Sequence, residues 1–310
     1  MTPGFADRLA VAMDQHGPLA VGIDPHPGLL HAWGLADDLA GLRSFALGVV
    51  RALGGRVAAL KPQSALFERH GSAGIGVLEE VIFTARQTGT LVVVDAKRGD
   101  VGSTMVGYAD AYLRDGSPLA GDAVTLSPYL GFGSLAPALE AALDTGRGVF
   151  VLALTSNPEG AAVQHATDRD GVPVAVTIAR AAAQVNAENL GESGLGPVGL
   201  VVGATTGDAP ARLGLDLAVV RGPLLAPGVG AQGAGAPELT QVFGAARRAV
   251  LASVSRSVLG AGPDPQALAE TAVQAAAQAR EALRPRHPEA AHVANTPGDD
   301  RFEALNRPKA

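Results

Sequence analysis

The chain has 310 residues, 47% of them hydrophobic and 17% charged, with a net charge of −6. That is enough apolar material for a full core, and the acidic balance argues against nucleic acid as a general partner while leaving room for a local basic pocket. There is no cysteine, which excludes disulfides, thiolate chemistry and cysteine-based metal sites.

Residues 1–15 read as a helix suited to plugging the bottom of a barrel, and they lack the basic region and apolar run of a signal peptide. Short apolar runs follow at 19–23, 57–60, 91–94, 123–126, 149–154, 198–202, 224–226 and 249–252. All are strand-sized and too short to span a membrane, so the expectation is a cytoplasmic protein with no membrane partner. Helical spacing of apolar residues marks 39–53, 74–88, 104–114, 135–143, 174–190, 237–246 and 265–283. Gly146 is a C-terminal stop, Pro237 suits a first turn and Asp264 is a cap. Segment 208–217 has the least regular helical pattern.

Strand and helix alternate, which implies parallel strands with crossover helices. Eight such units in this length predict an α/β fold of the (β/α)8 TIM-barrel type, a parallel eight-stranded barrel with outer helices. The alternative is a doubly wound open sheet, but no Gly-x-Gly-x-x-Gly follows the first strand. The barrel domain is expected over residues 1–284. Residues 285–310 read as a polar, Pro-rich tail of disorder-prone composition.

Polar residues collect where the strands end. The third run ends in Asp95, Lys97 and Asp100, with Thr104 just beyond. Alternation along a strand puts Asp95 and Lys97 on one side, and Val92, Val93 and Val94 mark the strand as buried on both faces. A carboxylate and an ammonium thus share a spot where parallel α/β proteins place chemistry. Asp24 ends the first strand and Lys61 the second, a pair suited to sugar hydroxyls. Ser156 follows the fifth, and a long segment, 157–173, suits a lid. Gly228, Gly230, Gln232 and Gly233 form a glycine-rich loop after the seventh, and Ser255 and Arg256 follow the eighth. In this fold phosphate is often held after the last two strands, by backbone N–H groups and here by a guanidinium fork. His26, His31, His70 and His165 show no metal-ligand spacing and read as loop or surface residues, and Trp33 and Tyr129 read as packing residues.

Asp95-Ala96-Lys97-Arg98-Gly99-Asp100, followed by Thr104, resembles the signature of the orotidine 5′-phosphate decarboxylase family. The resemblance extends in order to Gly22-Ile23-Asp24-Pro25, Lys61-Pro62-Gln63, Ser156-Asn157-Pro158, the 227–233 loop and Ser255-Arg256, and covers roughly residues 5–283. Lys61-Pro62-Gln63 and Ser127-Pro128-Tyr129-Leu130-Gly131 are similar to the longer-chain branch. The resemblance implies a homodimeric barrel that converts orotidine monophosphate to UMP without metal or cofactor. It implies Lys97 as proton donor to C6 of the pyrimidine and Asp95 beside the departing carboxylate. Asp95 and Asp100 would flank Lys97 and keep it charged, with Asp100 and Thr104 crossing into the partner's site. Asp24 and Lys61 would bind ribose hydroxyls, Ser156 the pyrimidine and Arg256 the phosphate, with Gln232 bridging base and phosphate. The nearest alternative is a magnesium-dependent decarboxylase of the 3-keto-gulonate 6-phosphate type, which Lys61 disfavours because a metal there wants a carboxylate. A non-catalytic phosphate-binding barrel is the alternative from another class.

Overall fold

In a computed structural model, which describes residues 3–229 and 233–284, eight parallel strands close into a barrel. β1 (Leu19–Ile23), β2 (Ala59–Pro62), β3 (Leu91–Arg98), β4 (Ala123–Leu126), β5 (Gly148–Leu154), β6 (Val198–Val202), β7 (Leu224–Pro227) and β8 (Val250–Val254) pair in chain order, and β8 returns to β1. The helices Leu39–Leu53, Gly71–Gln87, Gly102–Leu113, Ala136–Thr145, Val174–Glu188, Ala236–Phe243 and Pro265–Leu283 lie around it. The 208–217 segment shortens to the helix Ala209–Leu213. The Asp264 side chain accepts the Ala267 N–H at 2.8 Å, as the sequence predicts for that cap.

Two apolar layers form because strand side chains alternate. Residues such as Val21, Leu60, Val92 and Val94 face the helices and join the larger core. Ala20, Ala59, Leu91, Val93, Ala123, Phe150 and Leu251 fill the barrel interior, together with Phe5 and Leu9 of the helix Phe5–His16. The Phe5 ring meets Phe150 edge-on, with centroids 5.8 Å apart. Arg8 of the same helix pairs with Asp122 and donates to the Gly146 carbonyl at 3.2 Å. Asp122 in turn accepts the Val92 N–H at 2.9 Å. The amino-terminal helix therefore closes the bottom of the barrel and leaves the carboxyl ends of the strands as the open mouth.

The same period of two carries the interior-facing series upward from that plug. It runs through Ala20, Gly22 and Asp24 on β1 and beyond, Ala59 and Lys61 on β2, Val93, Asp95 and Lys97 on β3, Ala123 and Thr125 on β4, and Leu251, Ser253 and Ser255 at β8. β3 is longer than its apolar run predicts and keeps its charged residues inside the strand. Its register with β4 slips from Val94↔Val124 to Arg98↔Leu126, four residues against two, which makes a bulge. Within it Lys97 takes the left-handed region, φ +49°.

Trp33 packs on Phe45 at 4.3 Å and donates its indole N–H to the Leu259 carbonyl at 2.9 Å. Tyr129 does not pack. It lies past the end of β4, in the loop after Pro128, beyond the reach of the core, and is 77% exposed. No described helix is long and apolar enough to cross a membrane.

Candidate active site

The mouth is organised around Asp95. One carboxylate oxygen accepts from the Lys61 ammonium at 2.8 Å. The other accepts from the Lys97 ammonium at 2.5 Å and from the Thr125 hydroxyl at 2.9 Å. The Thr125 hydroxyl oxygen also accepts the backbone N–H of Lys97 at 2.9 Å, which pins the left-handed residue at its own amide. Asp95 and Lys61 are buried, whereas the Lys97 side chain is 43% exposed at the open end. The Lys61 ammonium is thus enclosed in the barrel, and the Lys97 ammonium stands at its open mouth.

The electrostatics follow from this packing. Burial pushes the Asp95 carboxyl up, but Lys61 and Lys97 outweigh it and hold it down at about 2. Burial likewise disfavours the Lys61 ammonium, yet the charges of Asp95 and Asp24 overcome it and raise Lys61 above the ordinary lysine value. Lys61 and Lys97 flank Asp95 directly, with Asp24 as a second carboxylate acting on Lys61.

Asp24 and Ser255 stand on the other side. The Asp24 Oδ1 and the Ser255 Oγ are buried and have no hydrogen-bond partner among the described residues. They are close together: a Cβ on Gly22 would lie 2.8 Å from the Asp24 carboxylate and 3.0 Å from the Ser255 Cβ. Buried polar atoms without partners are costly, and these two offer one acceptor and one hydroxyl to a polar ligand.

After β7 the chain doubles back on itself. The Ala234 N–H donates to the Gly228 carbonyl at 2.8 Å. A Cβ on Gly233 would sit 2.0 Å from that carbonyl oxygen, and Gly228 has φ +90°, so both positions require glycine. Gly230 and Gln232 lie outside the described residues. Arg256 is exposed and opens the short helix Arg256–Leu259. Ser156 is exposed just past β5. The segment after it is not extended: Gln164 returns to Thr155, accepting its N–H at 2.8 Å and donating to its hydroxyl at 2.7 Å.

Asp100 and Thr104 lie at the rim. Asp100 accepts the Val101 N–H at 2.8 Å and makes no ion pair with Lys97 within the chain. Thr104 is exposed on the first turn of Gly102–Leu113. Of the two carboxylates expected to flank Lys97, only Asp95 does so within one chain. His26 and His31 are exposed, while His70 is half-buried with an Nε2 that lacks a partner among the described residues. Among those residues no group of three or more His, Asp or Glu could hold a metal ion.

Sequence reasoning missed Thr125, whose signal was a lone hydroxyl in the apolar run Ala123–Leu126. It also missed the surroundings of Arg98, which donates to the Ala96 carbonyl at 3.1 Å and pairs with Glu68.

A family model described as "Orotidine 5'-phosphate decarboxylase / HUMPS family" matches residues 9–272. The chain is 58% identical over 279 residues to the orotidine 5′-phosphate decarboxylase of Salinispora arenicola, covering 90% of this chain and 98% of that one. It is 56% identical over 279 residues to the Streptomyces coelicolor protein of the same name, with the same coverage. Among solved structures it is similar to a Streptomyces avermitilis protein at 57% identity and TM-score 0.85, covering 91% of this chain and 96% of that one. The Leishmania donovani OMP decarboxylase aligns at 29% identity and TM-score 0.68, covering 90% of this chain and 99% of that one.

Proposed function

This chain belongs to the orotidine 5′-phosphate decarboxylase / HUMPS family, and we propose that within it the chain decarboxylates orotidine 5′-monophosphate to UMP and CO2, a step of pyrimidine biosynthesis. The observation that carries this reading is the Lys61–Asp95–Lys97 array at the barrel mouth. The names of relatives at 56–58% identity support it.

In the proposed reaction the bond between C6 and the carboxylate breaks, CO2 leaves, and the electron pair stays on C6. That carbanion is poorly delocalised, so fixed charges must stabilise it. The Lys97 ammonium lies at the exposed end of the array, stabilises the developing charge, and gives C6 its proton. Its neutral amine regains a proton from water. Asp95 has both oxygens committed to Lys61, Lys97 and Thr125. We therefore assign it the task of orienting two ammoniums beside the departing carboxylate.

Asp24, with its orphaned oxygen, and Lys61 would take ribose hydroxyls. Ser156 would contact the pyrimidine. Arg256 and Ser255, with the backbone of the Gly228, Gly230 and Gly233 loop, would hold the phosphate, and Gln232 would bridge it to the base. The phosphate lies away from C6, so its binding energy is available to the transition state through loop closure. Asp100, which makes no ion pair with its own Lys97, and the exposed Thr104 suit a homodimer in which each reaches the partner's site. The catalytic unit would be the barrel of residues 1–284, with 285–310 as an appended tail, working in the cytoplasm.

The test is direct: purified chain mixed with orotidine 5′-monophosphate should lower the substrate's absorbance and yield UMP, with a chelator present or absent. No turnover of this substrate would reject the reading. Turnover abolished by chelation would favour the metal-dependent branch.

A further inference from the structure

Arg98, the residue after Lys97, sends its side chain to the outside of the barrel. Its guanidinium donates to the Ala96 carbonyl at 3.1 Å and to the Tyr112 hydroxyl at 3.5 Å, and it pairs with Glu68. It lies 5.7 Å from the ring centre of Tyr108 and 5.9 Å from that of Tyr112. Glu68 ends the helix Ser64–Glu68, which begins three residues past Lys61, and it accepts the buried Ser64 hydroxyl at 2.5 Å. The ends of β2 and β3 are thus tied twice. Inside the barrel Asp95 joins Lys61 to Lys97, and outside it Ser64, Glu68 and Arg98 form a parallel chain.

We propose that Arg98, held by Glu68, is a positioning residue for Lys97, fixing the bulge whose left-handed backbone aims the ammonium into the mouth. This inference rests on the decarboxylase reading above. Three features argue for it. The bulge puts two extra residues into β3, and Arg98 engages the carbonyl at its centre, that of Ala96. Lys97 occupies a backbone region that non-glycine residues avoid, so the surroundings must hold it there. Finally, the Arg98–Glu68 pair is partly exposed, 26% and 35% by side chain, and such pairs add little to global stability. Its consequence lies in placement, where a shift of about 1 Å costs about a hundredfold in rate. An arginine suits the task because one planar fork serves a carboxylate, a carbonyl and two aromatic faces together, which an ammonium cannot.

The experiment uses the full chain with Arg98→Met, which keeps the apolar stem, together with Arg98→Lys, Glu68→Gln and the double variant R98M/E68Q. Measured are kcat and KM for orotidine 5′-monophosphate, the dissociation constant of UMP, and Tm. Arg98→Met should lower kcat by about tenfold to a hundredfold while KM and UMP affinity change by less than about threefold. Arg98→Lys should recover part of the loss. Glu68→Gln should lower kcat in the same direction, and the double variant should be no worse than Arg98→Met, because the pair acts as a unit. Wild-type kcat in Arg98→Met overturns the proposal, as does a kcat loss matched by equal losses of UMP affinity and of Tm. If Arg98→Met does not fold, Glu68→Gln decides: wild-type kcat there overturns the proposal, and a selective kcat loss supports it. An inactive wild-type chain rejects the decarboxylase reading itself, whereas an active wild type with an unaffected Arg98→Met rejects the positioning role alone.

Discussion

Replacing Asp95 by asparagine keeps the shape of the site and removes the charge that holds two ammoniums. The folded carboxyl titrates at about 2 against an ordinary value of 3.8, which corresponds to about 2–3 kcal/mol of stability at neutral pH. An independent route gives a similar figure, since stripping one partner from a buried ion pair costs about 3–5 kcal/mol. Asp95→Asn should therefore lose about 3 kcal/mol at pH 7, a Tm decrease of about 4–6 °C for a chain of this size. The pH dependence has a definite sign. A lowered carboxyl stabilises the fold above its unfolded value and stops doing so as pH falls through the folded one. The gap between wild type and variant should then close between about pH 4 and pH 2. On the alkaline side Lys61 is raised in the wild type, so its contribution is complete below its ordinary value of 10.5 and is lost only as pH climbs past the folded one. In the variant only Asp24 opposes burial, Lys61 sheds its proton earlier, and stability rises with pH, closing the gap from above. Urea unfolding followed by circular dichroism at pH 3, 5, 7, 9 and 11 reads both limbs. A gap below about 1 kcal/mol at pH 7, or one that does not vary with pH, would refute this account of the array.

Lys97→Ala should abolish turnover of orotidine 5′-monophosphate with a smaller Tm loss than Asp95→Asn, because the Lys97 side chain is 43% exposed; activity near wild type in a steady-state assay would remove Lys97 as the acid. Arg256→Ala should weaken UMP by about 10- to 100-fold and uridine by less than about threefold in calorimetric titration, the loss of a charge-assisted contact; equal losses would contradict a phosphate role. Thr125→Val should leave the Lys97 N–H without its acceptor and cost about 1–3 kcal/mol in urea unfolding along with a fall in kcat; unchanged stability and rate would show that the hydroxyl anchors nothing.

Much of this arrangement was legible in the residues because both of its periodicities are simple. The strands at 19–23, 123–126 and 198–202 appear where the apolar runs place them, since a strand walled in on both faces must be continuously apolar. The helices Leu39–Leu53 and Pro265–Leu283 follow from spacing, the second with its Asp264 cap. The polar residues after those strands could be read as one site only because a closed barrel brings its strand ends together. What could not be read was local geometry that breaks a period. The apolar run stops at Val94, yet β3 continues to Arg98 because Thr125 and Asp95 keep its polar half bonded. Tyr129 looked like core by type alone, and its exposure depends on where the chain turns after Pro128. Glu68 and Arg98 are thirty residues apart, so no local pattern announces their pairing.

The bulge in β3 and the array it supports are better explained together than apart. In an unbroken strand Asp95 and Lys97 would sit on the same side with their side chains roughly parallel. Both would point into the barrel, and nothing would lift the amine to the mouth. The left-handed turn at Lys97 changes where its side chain starts, so that its nitrogen reaches Asp95 from the open end while Lys61 reaches the same carboxylate from below. That conformation costs about 1–2 kcal/mol in a non-glycine residue, and a glycine there would remove the cost along with the amine. The strain is localised at Lys97, and its ion pair with Asp95 and the Thr125 hydrogen bond to its N–H offset it. Glycine would take that backbone freely but would leave Asp95 one cation short and the mouth without its amine, so the bulge and the ion pair are two parts of one arrangement.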